Sequence, residues 1–262
     1  MKKRSFNILG SIAVVNFPDK TKKSDKIKFA GEILKKNKTI KTVLEKSRKF
    51  SGRLRKMQTR HLAGEKNKEV IYHENNCVFR FNIDTTYFSP RLSNERREIA
   101  SLIKKDSEVL VMFAGIAPFS IVIAKNSSAK KVYSNEINRE ANKYSRLNVE
   151  LNHVKNKVEM VNGDIKKVAK KLAGEKKKMD VIVMPRPQLK ESFLEQAFML
   201  SKRGTRVYYY DFCKMDEIGL ILDKIKVQAK KFKKKIKILK FKSAGETAPY
   251  KIRLRVDFEV LN

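Results

Sequence analysis

Acidic residues are scarce in this 262-residue chain: 28 Asp and Glu stand against 61 Lys and Arg, a net charge of +33. That imbalance exceeds what solubility requires and implies a polyanionic partner, nucleic acid first, because a positive surface concentrates phosphate. A lysine-rich surface serving heat or salt tolerance is the plainer source of the same charge. Cysteine is nearly absent. Cys77 and Cys213 lie 136 residues apart, outside any CxxC or Cys/His cluster, which argues against a disulfide framework or a zinc site and for two free, buried thiols. No apolar run approaches the ~20 residues of a membrane helix. The opening "MKKRSFNILGSIAVVNF" has its apolar stretch broken by Asn, Gly and Ser, without a clean cleavage site behind it, so it reads as a first strand, Phe6 to Phe17, and not a leader. The chain is expected to be soluble, cytoplasmic and, lacking heptads, monomeric.

What is present is a core: 41% of residues are hydrophobic, enough for one large domain or two modest ones. Two regimes divide the chain. Residues 1–90 mix strand-like runs ("SIAVVNF", "EVIYHENNCVFRFNI") with helix-compatible basic pieces ("DKIKFAGEILKKN", "IKTVLEKSRKF"), the pattern of a small α+β domain. From 91 to 262, strands such as "EVLVMFAG", "KVYSNEI", "KVEMVNGD" and "MDVIVMPRP" alternate with helical segments, which predicts an α/β fold with a parallel sheet covered on both faces. "KIRLRVDFEVL" alternates apolar and charged residues and is expected as a half-buried antiparallel strand at the end of that sheet.

Ligands of such sheets bind where strands end and helices begin. "FAGIAPFSI" puts Gly115 in the first such turn. A single glycine is a poor match to GxGxxG and disfavours a diphosphate cradle. Glu136 ends the next strand, suited by its two acceptor oxygens to a pair of ribose hydroxyls, and Asp164 follows Gly163 at the third, suited to an exocyclic amine or to a helix cap. Each is an ordinary cap or loop charge when taken singly. Together they favour an adenosine ligand without diphosphate, S-adenosyl-L-methionine.

"YFSPRLSNERREIA", "FAGIAPFSI" and "VYSNEINREANKYSRLNVELNHV", with "GRLRKMQTRHLAGE" upstream and "MPRPQLKESFLEQAFMLSKRG" and "VYYYDF" downstream, resemble the archaeal and eukaryotic tRNA (guanine-N1)-methyltransferases that modify guanosine 37. The resemblance runs from Phe6 onward and implies a class I (Rossmann-like) methyltransferase domain preceded by the small domain. It places Phe113, Ala114, Gly115, Phe119, Glu136, Ile137 and Asp164 at the cofactor, Glu95 as general base, Arg55 facing the base's O6, Arg91 steadying the same loop or a phosphate, and Pro185, Arg186 and Pro187 beside the target base. The chemistry agrees, since N1 methylation needs a base for the N1 proton and a cation for charge building on O6. A first-turn glutamate favoured by the helix dipole is the structural alternative for Glu95. A flipped base also needs a packing surface, for which Tyr87, Phe88 and Tyr210 are candidates, as they are for the core.

Three departures stand out. Val111 replaces an acidic residue before Met-Phe-Ala-Gly, Ala117 replaces a second glycine, and Pro185-Arg186 occupies the position of the family's Asn-Pro or Asn-Leu. The chain is also expected to lack the family's N-terminal domain for the outer corner of tRNA, leaving binding to rest on charge and to weaken steeply with salt. Guanosine-37 methylation is the leading reading; transfer of an aminocarboxypropyl group in wybutosine-type modification, and an RNA-binding module that has lost its cofactor, are the others.

Overall fold

The computed structural model describes residues 6–51 and 56–262, and the chain divides between Pro90 and Arg91 into two compact units. The first unit holds strands β1 (Phe6–Leu9) and β2 (Ile12–Val15), helix α1 (Lys23–Lys36), and strands β3 (Thr42–Ser51), β4 (Lys56–Gly64), β5 (Glu69–Glu74) and β6 (Cys77–Asn82). The expected single strand over 6–17 is instead a hairpin, with Phe6 paired to Val15 across a turn at Gly10. Gly10 takes φ +55°, and a Cβ there would lie 2.3 Å from the Ile71 carbonyl oxygen, so only glycine fits.

A second correction concerns "IKTVLEKSRKF", expected as helix-compatible and found as β3, parallel to β2 and antiparallel to β4. Thr42, Val43, Leu44 and Glu45 are consecutively buried there, a pattern that comes from having neighbours on both edges and α1 over one face, and that mimics no simple periodicity. Ala30 and Ile33 of α1 pack on Ala13, Val15 and Val43. The β5–β6 hairpin turns at Asn75 and Asn76, both in the left-handed region, which asparagine tolerates better than most residues.

The second unit contains α2 (Ser93–Ser101), β7 (Glu108–Val111), α3 (Pro118–Asn126), β8 (Lys131–Glu136), α4 (Arg139–Leu151), β9 (Val158–Asn162), α5 (Ile165–Gly174), β10 (Met179–Met184), α6 (Leu194–Leu200), β11 (Ser201–Lys214), α7 (Ile218–Lys231), β12 (Ile236–Ala248) and β13 (Lys251–Val260). They form one sheet in the order β12-β13-β11-β10-β7-β8-β9, in which β13 alone runs against its neighbours. Tyr209 lies in the core shared with α5, α6 and α7, whereas the adjacent Tyr210 meets Phe119 of α3 and Glu95 of α2. Neighbouring strand residues point to opposite faces, so the sheet is covered on both, as expected.

β13 is antiparallel but does not end the sheet. β12 lies outside it, and its alternating charged residues Arg255 and Asp257 are buried as well as Ile252, Leu254, Val256, Phe258 and Val260. Strand order reverses between β7 and β10, and the crevice beyond their carboxyl ends is where such a sheet takes ligands.

Candidate cofactor and catalytic site

Beyond β7 the chain coils tightly. Phe113, Gly115 and Ala117 all take the left-handed conformation, at φ +57°, +59° and +66°. For the two residues with a Cβ this costs of order 1–2 kcal/mol each, and surrounding bonds over-determine it: Met112 N–H donates to the Val183 carbonyl, Ala114 N–H to Asn135 and Ala117 N–H to Ala114. Ala117, in place of the second glycine, precedes α3, and Pro118 at the helix start has no N–H to satisfy. Val111 is fully buried between β8 and β10.

Glu136 ends β8 against this coil. It is 8% exposed. Its Oε2 accepts from Gly115 N–H at 2.7 Å, and its Oε1 from Ile137 N–H at 2.8 Å and Asn138 N–H at 2.7 Å. Burial raises its carboxyl above the ordinary carboxylate range, against the pull of those three amides. A carboxylate offers about four acceptor sites. Three amides leave it able to take a hydroxyl donor, which is the fit a ribose requires.

The coil's outer supports escaped the sequence reading. Ser145 Oγ donates to the Gly115 carbonyl at 2.8 Å, Asn148 Nδ2 to Ile116 at 3.2 Å, Asn142 Nδ2 to Glu136 O at 3.1 Å, and Asn135 Nδ2 to the Val161 and Gly163 carbonyls. Their signal was present in α4, where small polar residues recur every three positions (142, 145, 148) on the buried face. The Asn142 Oδ1 is buried without a partner.

The remaining cofactor candidates divide by exposure. Ala114 is buried, and Gly115 and Ile137 are half-buried beside Glu136. Phe113, half-buried, meets Phe193 edge-on at 5.0 Å. Asp164 caps α5 by accepting from Lys166 N–H at 3.0 Å. Phe119, 3% exposed, sits inside between the Tyr210 ring and the Arg96 guanidinium, where it supports α3 from within.

Glu95 is buried in the first turn of α2. Its Oε2 accepts from Tyr210 Oη and from Arg255 Nη1, both at 2.9 Å, and Lys242 Nζ lies 2.7 Å from Oε1. Lys242 also contacts Glu98, and Arg255 is bound by both Asp257 oxygens and by Glu98. Burial, with Glu95 beside it, pushes the Tyr210 phenol far above its usual range, so it stays a donor. Tyr210 is thereby core, as is Phe88, packed in the first unit on Tyr72, Phe79 and Phe81; Tyr87 is half-buried. Arg91 is exposed in the turn Pro90–Leu92. Arg55 lies outside the described residues.

After β10, Pro185 and Pro187 are half-buried, and Arg186 between them is 3% exposed. Its Nη1 donates to Asp211 Oδ1 at 2.9 Å and to the Pro187 carbonyl, and its Nη2 to the Leu189 and Glu191 carbonyls. Arg186 therefore ties the following loop to β11, and the charge that the sequence placed beside a substrate faces inward. The free thiols Cys77 and Cys213 are both buried.

A family model described as the TRM5/TYW2 methyltransferase domain matches residues 70–239, and one described as the TYW2 N-terminal domain matches residues 2–67. The tRNA (guanine(37)-N(1))-methyltransferase Trm5b of Pyrococcus abyssi is 34% identical over 257 residues, 98% of this chain and 74% of the relative. The tRNA (guanine(37)-N(1))/4-demethylwyosine(37)-methyltransferase Taw22 of Nanoarchaeum equitans is 29% identical across 98% of this chain and 100% of its own. Methanocaldococcus jannaschii Trm5, solved in complex with adenosine, superimposes with a TM-score of 0.82 at 26% identity, covering 98% of this chain and 74% of that one.

Proposed function

The chain belongs to the TRM5/TYW2 methyltransferase family, and from that premise we propose that it transfers a methyl group from S-adenosyl-L-methionine to N1 of guanosine 37 in tRNA. The observation that carries the cofactor half is Glu136, a buried carboxylate fixed by three backbone amides at the switch point with acceptor capacity left over. S-adenosylmethionine supplies a methyl carbon on a sulfonium. Glu136 would receive a ribose hydroxyl, the coil over Phe113–Ala117 would give the backbone close approach at Gly115, and Ile137 and Asp164 would border the adenine. Glu95 takes the N1 proton, and Arg55, by family resemblance, meets the charge on O6. Arg91 holds a tRNA phosphate, and the excess of lysines supplies further phosphate contacts. Among the described residues no helix is long and apolar enough to cross a membrane.

Glu136→Gln tests the cofactor site directly. Its amide keeps one acceptor and turns an N–H₂ toward backbone donors, so the dissociation constant for S-adenosylmethionine, read by calorimetry, is expected to rise about 10–100-fold. In the wild type, affinity is expected to fall on acidification beginning above the ordinary glutamate range, because burial raises this carboxyl and its protonated form is the poorer acceptor for a ribose hydroxyl.

A second reading rests on "MPRP" in place of the family's Asn-Pro or Asn-Leu and on the match of residues 2–67 to a TYW2 N-terminal domain. It is aminocarboxypropyl transfer. The two reactions leave different co-products. Incubation with G37 and A37 transcripts is expected to yield S-adenosylhomocysteine and N1-methylguanosine in the G37 transcript alone; methylthioadenosine in its place would overturn the methyl-transfer reading.

A further inference from the structure

Glu95 keeps one acceptor site, on Oε1. Oε2 takes both Tyr210 and Arg255, and Lys242 stands at Oε1. A general base must present its lone pair to the substrate, so the group that covers that oxygen has to move aside. Tyr210 is wholly buried on β11, and Arg255, itself 1% exposed, is fixed by both Asp257 oxygens on its own strand β13. Lys242 differs. Its side chain is 27% exposed, it stands on the edge strand β12 beside the exposed Phe241, and its ammonium rides on a flexible four-carbon stem. Its second partner, Glu98, would not be stranded by its departure, since Arg255 donates to Glu98 at 2.9 Å and Lys240 lies 3.9 Å from it.

We propose that Lys242 is a removable cap on Glu95: a phosphate of the bound RNA draws the ammonium off Oε1, and the base is unmasked only when substrate is in place. Oε1 then accepts the guanine N1 proton, the N1 electron pair forms the bond to the methyl carbon, and the methyl–sulfur pair stays on sulfur as a neutral thioether. The groups facing Glu95 are Tyr210 from β11, Lys242 from β12, Arg255 with Asp257 from β13, and Glu98 from its own helix. Of these only Lys242 reaches solvent and carries a charge that phosphate attracts. The idea rests on Glu95 as base, and it makes Lys242 a positioning residue that senses substrate.

The test is Lys242→Met in the full chain, with Lys242→Gln as a second variant, assayed for methyl transfer to tRNA transcript across a series of salt concentrations. Expected is a kcat that rises severalfold, because the base no longer waits for its cap, together with a KM for tRNA about tenfold higher. The log–log salt dependence of binding is expected to fall by about one counterion. A structural role alone would not raise kcat and KM together. A fall in kcat, or an unchanged salt slope, overturns the proposal. Glu95→Gln separates the two levels. If it abolishes turnover while the Lys242 variants show no change in slope, the cap fails and the base stands; if it leaves turnover intact, the base reading itself fails.

Discussion

Replacing Glu95 by Gln is expected to lower kcat for methyl transfer by about 10²–10⁴-fold, the range that a positioned general base supplies, while the dissociation constant for S-adenosylmethionine stays within twofold. The amide is nearly isosteric and its carbonyl still accepts from Tyr210 and Arg255, so what disappears is the capacity to take a proton. Single-turnover transfer from labelled cofactor, with enzyme in excess over G37 transcript, isolates the chemical step from product release. A loss confined to KM would remove Glu95 from the chemistry and assign it to binding.

Arg255→Leu is expected to be the most destabilising of these changes, by about 3–5 kcal/mol, because it leaves buried carboxylates without their counter-charge. Glu95 and Asp257 are 6% and 7% exposed, and Lys242 alone cannot neutralise them together with Glu98. Urea unfolding of both proteins gives the difference. The deficit is expected to shrink on acidification, since protonation relieves stranded negative charge. The wild type behaves oppositely: burial raises the Glu98 carboxyl, but Lys242 and Arg255 outweigh it and hold the group below its ordinary value of 4.5. Its contribution to stability is therefore present above that value and lost as pH falls through the lowered one. Arg255→Met combined with Asp257→Leu is expected to recover part of the loss, because an apolar pair of similar volume needs no counter-charge.

These two residues show where sequence reading stops. The β-α alternation from Ser93 to Met184 was legible because strands such as β7 and β10 are apolar runs and helices such as α4 and α5 begin at the capping residues Asn138 and Asp164. Glu136 was legible because its place depends on local order, one strand after Gly115. β3 was not, since the burial of Thr42 through Glu45 is conferred by β2, β4 and α1 and not by alternation along the strand. β12 was hidden in a lysine-rich stretch whose charge suggested only a solvated surface. The burial of Arg186 was hidden for a related reason: its partner Asp211 is 25 residues away. The clamp on Glu95 draws on Tyr210 and Arg255, 115 and 160 residues distant, separations at which no periodicity carries information.

The place of β13 between β11 and β12 bears on how the molecule is made. Ribosomal synthesis delivers β7 to β11 first, then β12, which has no partner in the sheet until β13 emerges to bridge it to β11. Arg255 travels on that last strand. A nascent chain accordingly carries Glu95 with its main counter-charge still untranslated, and the coil after β7 and the clamp on Glu95 are completed in separate steps. A product cut short by that strand would keep the switch-point coil, leave Glu95 without Arg255 and expose the bare edge of β11, an unpaired row of backbone groups open to pairing with another chain.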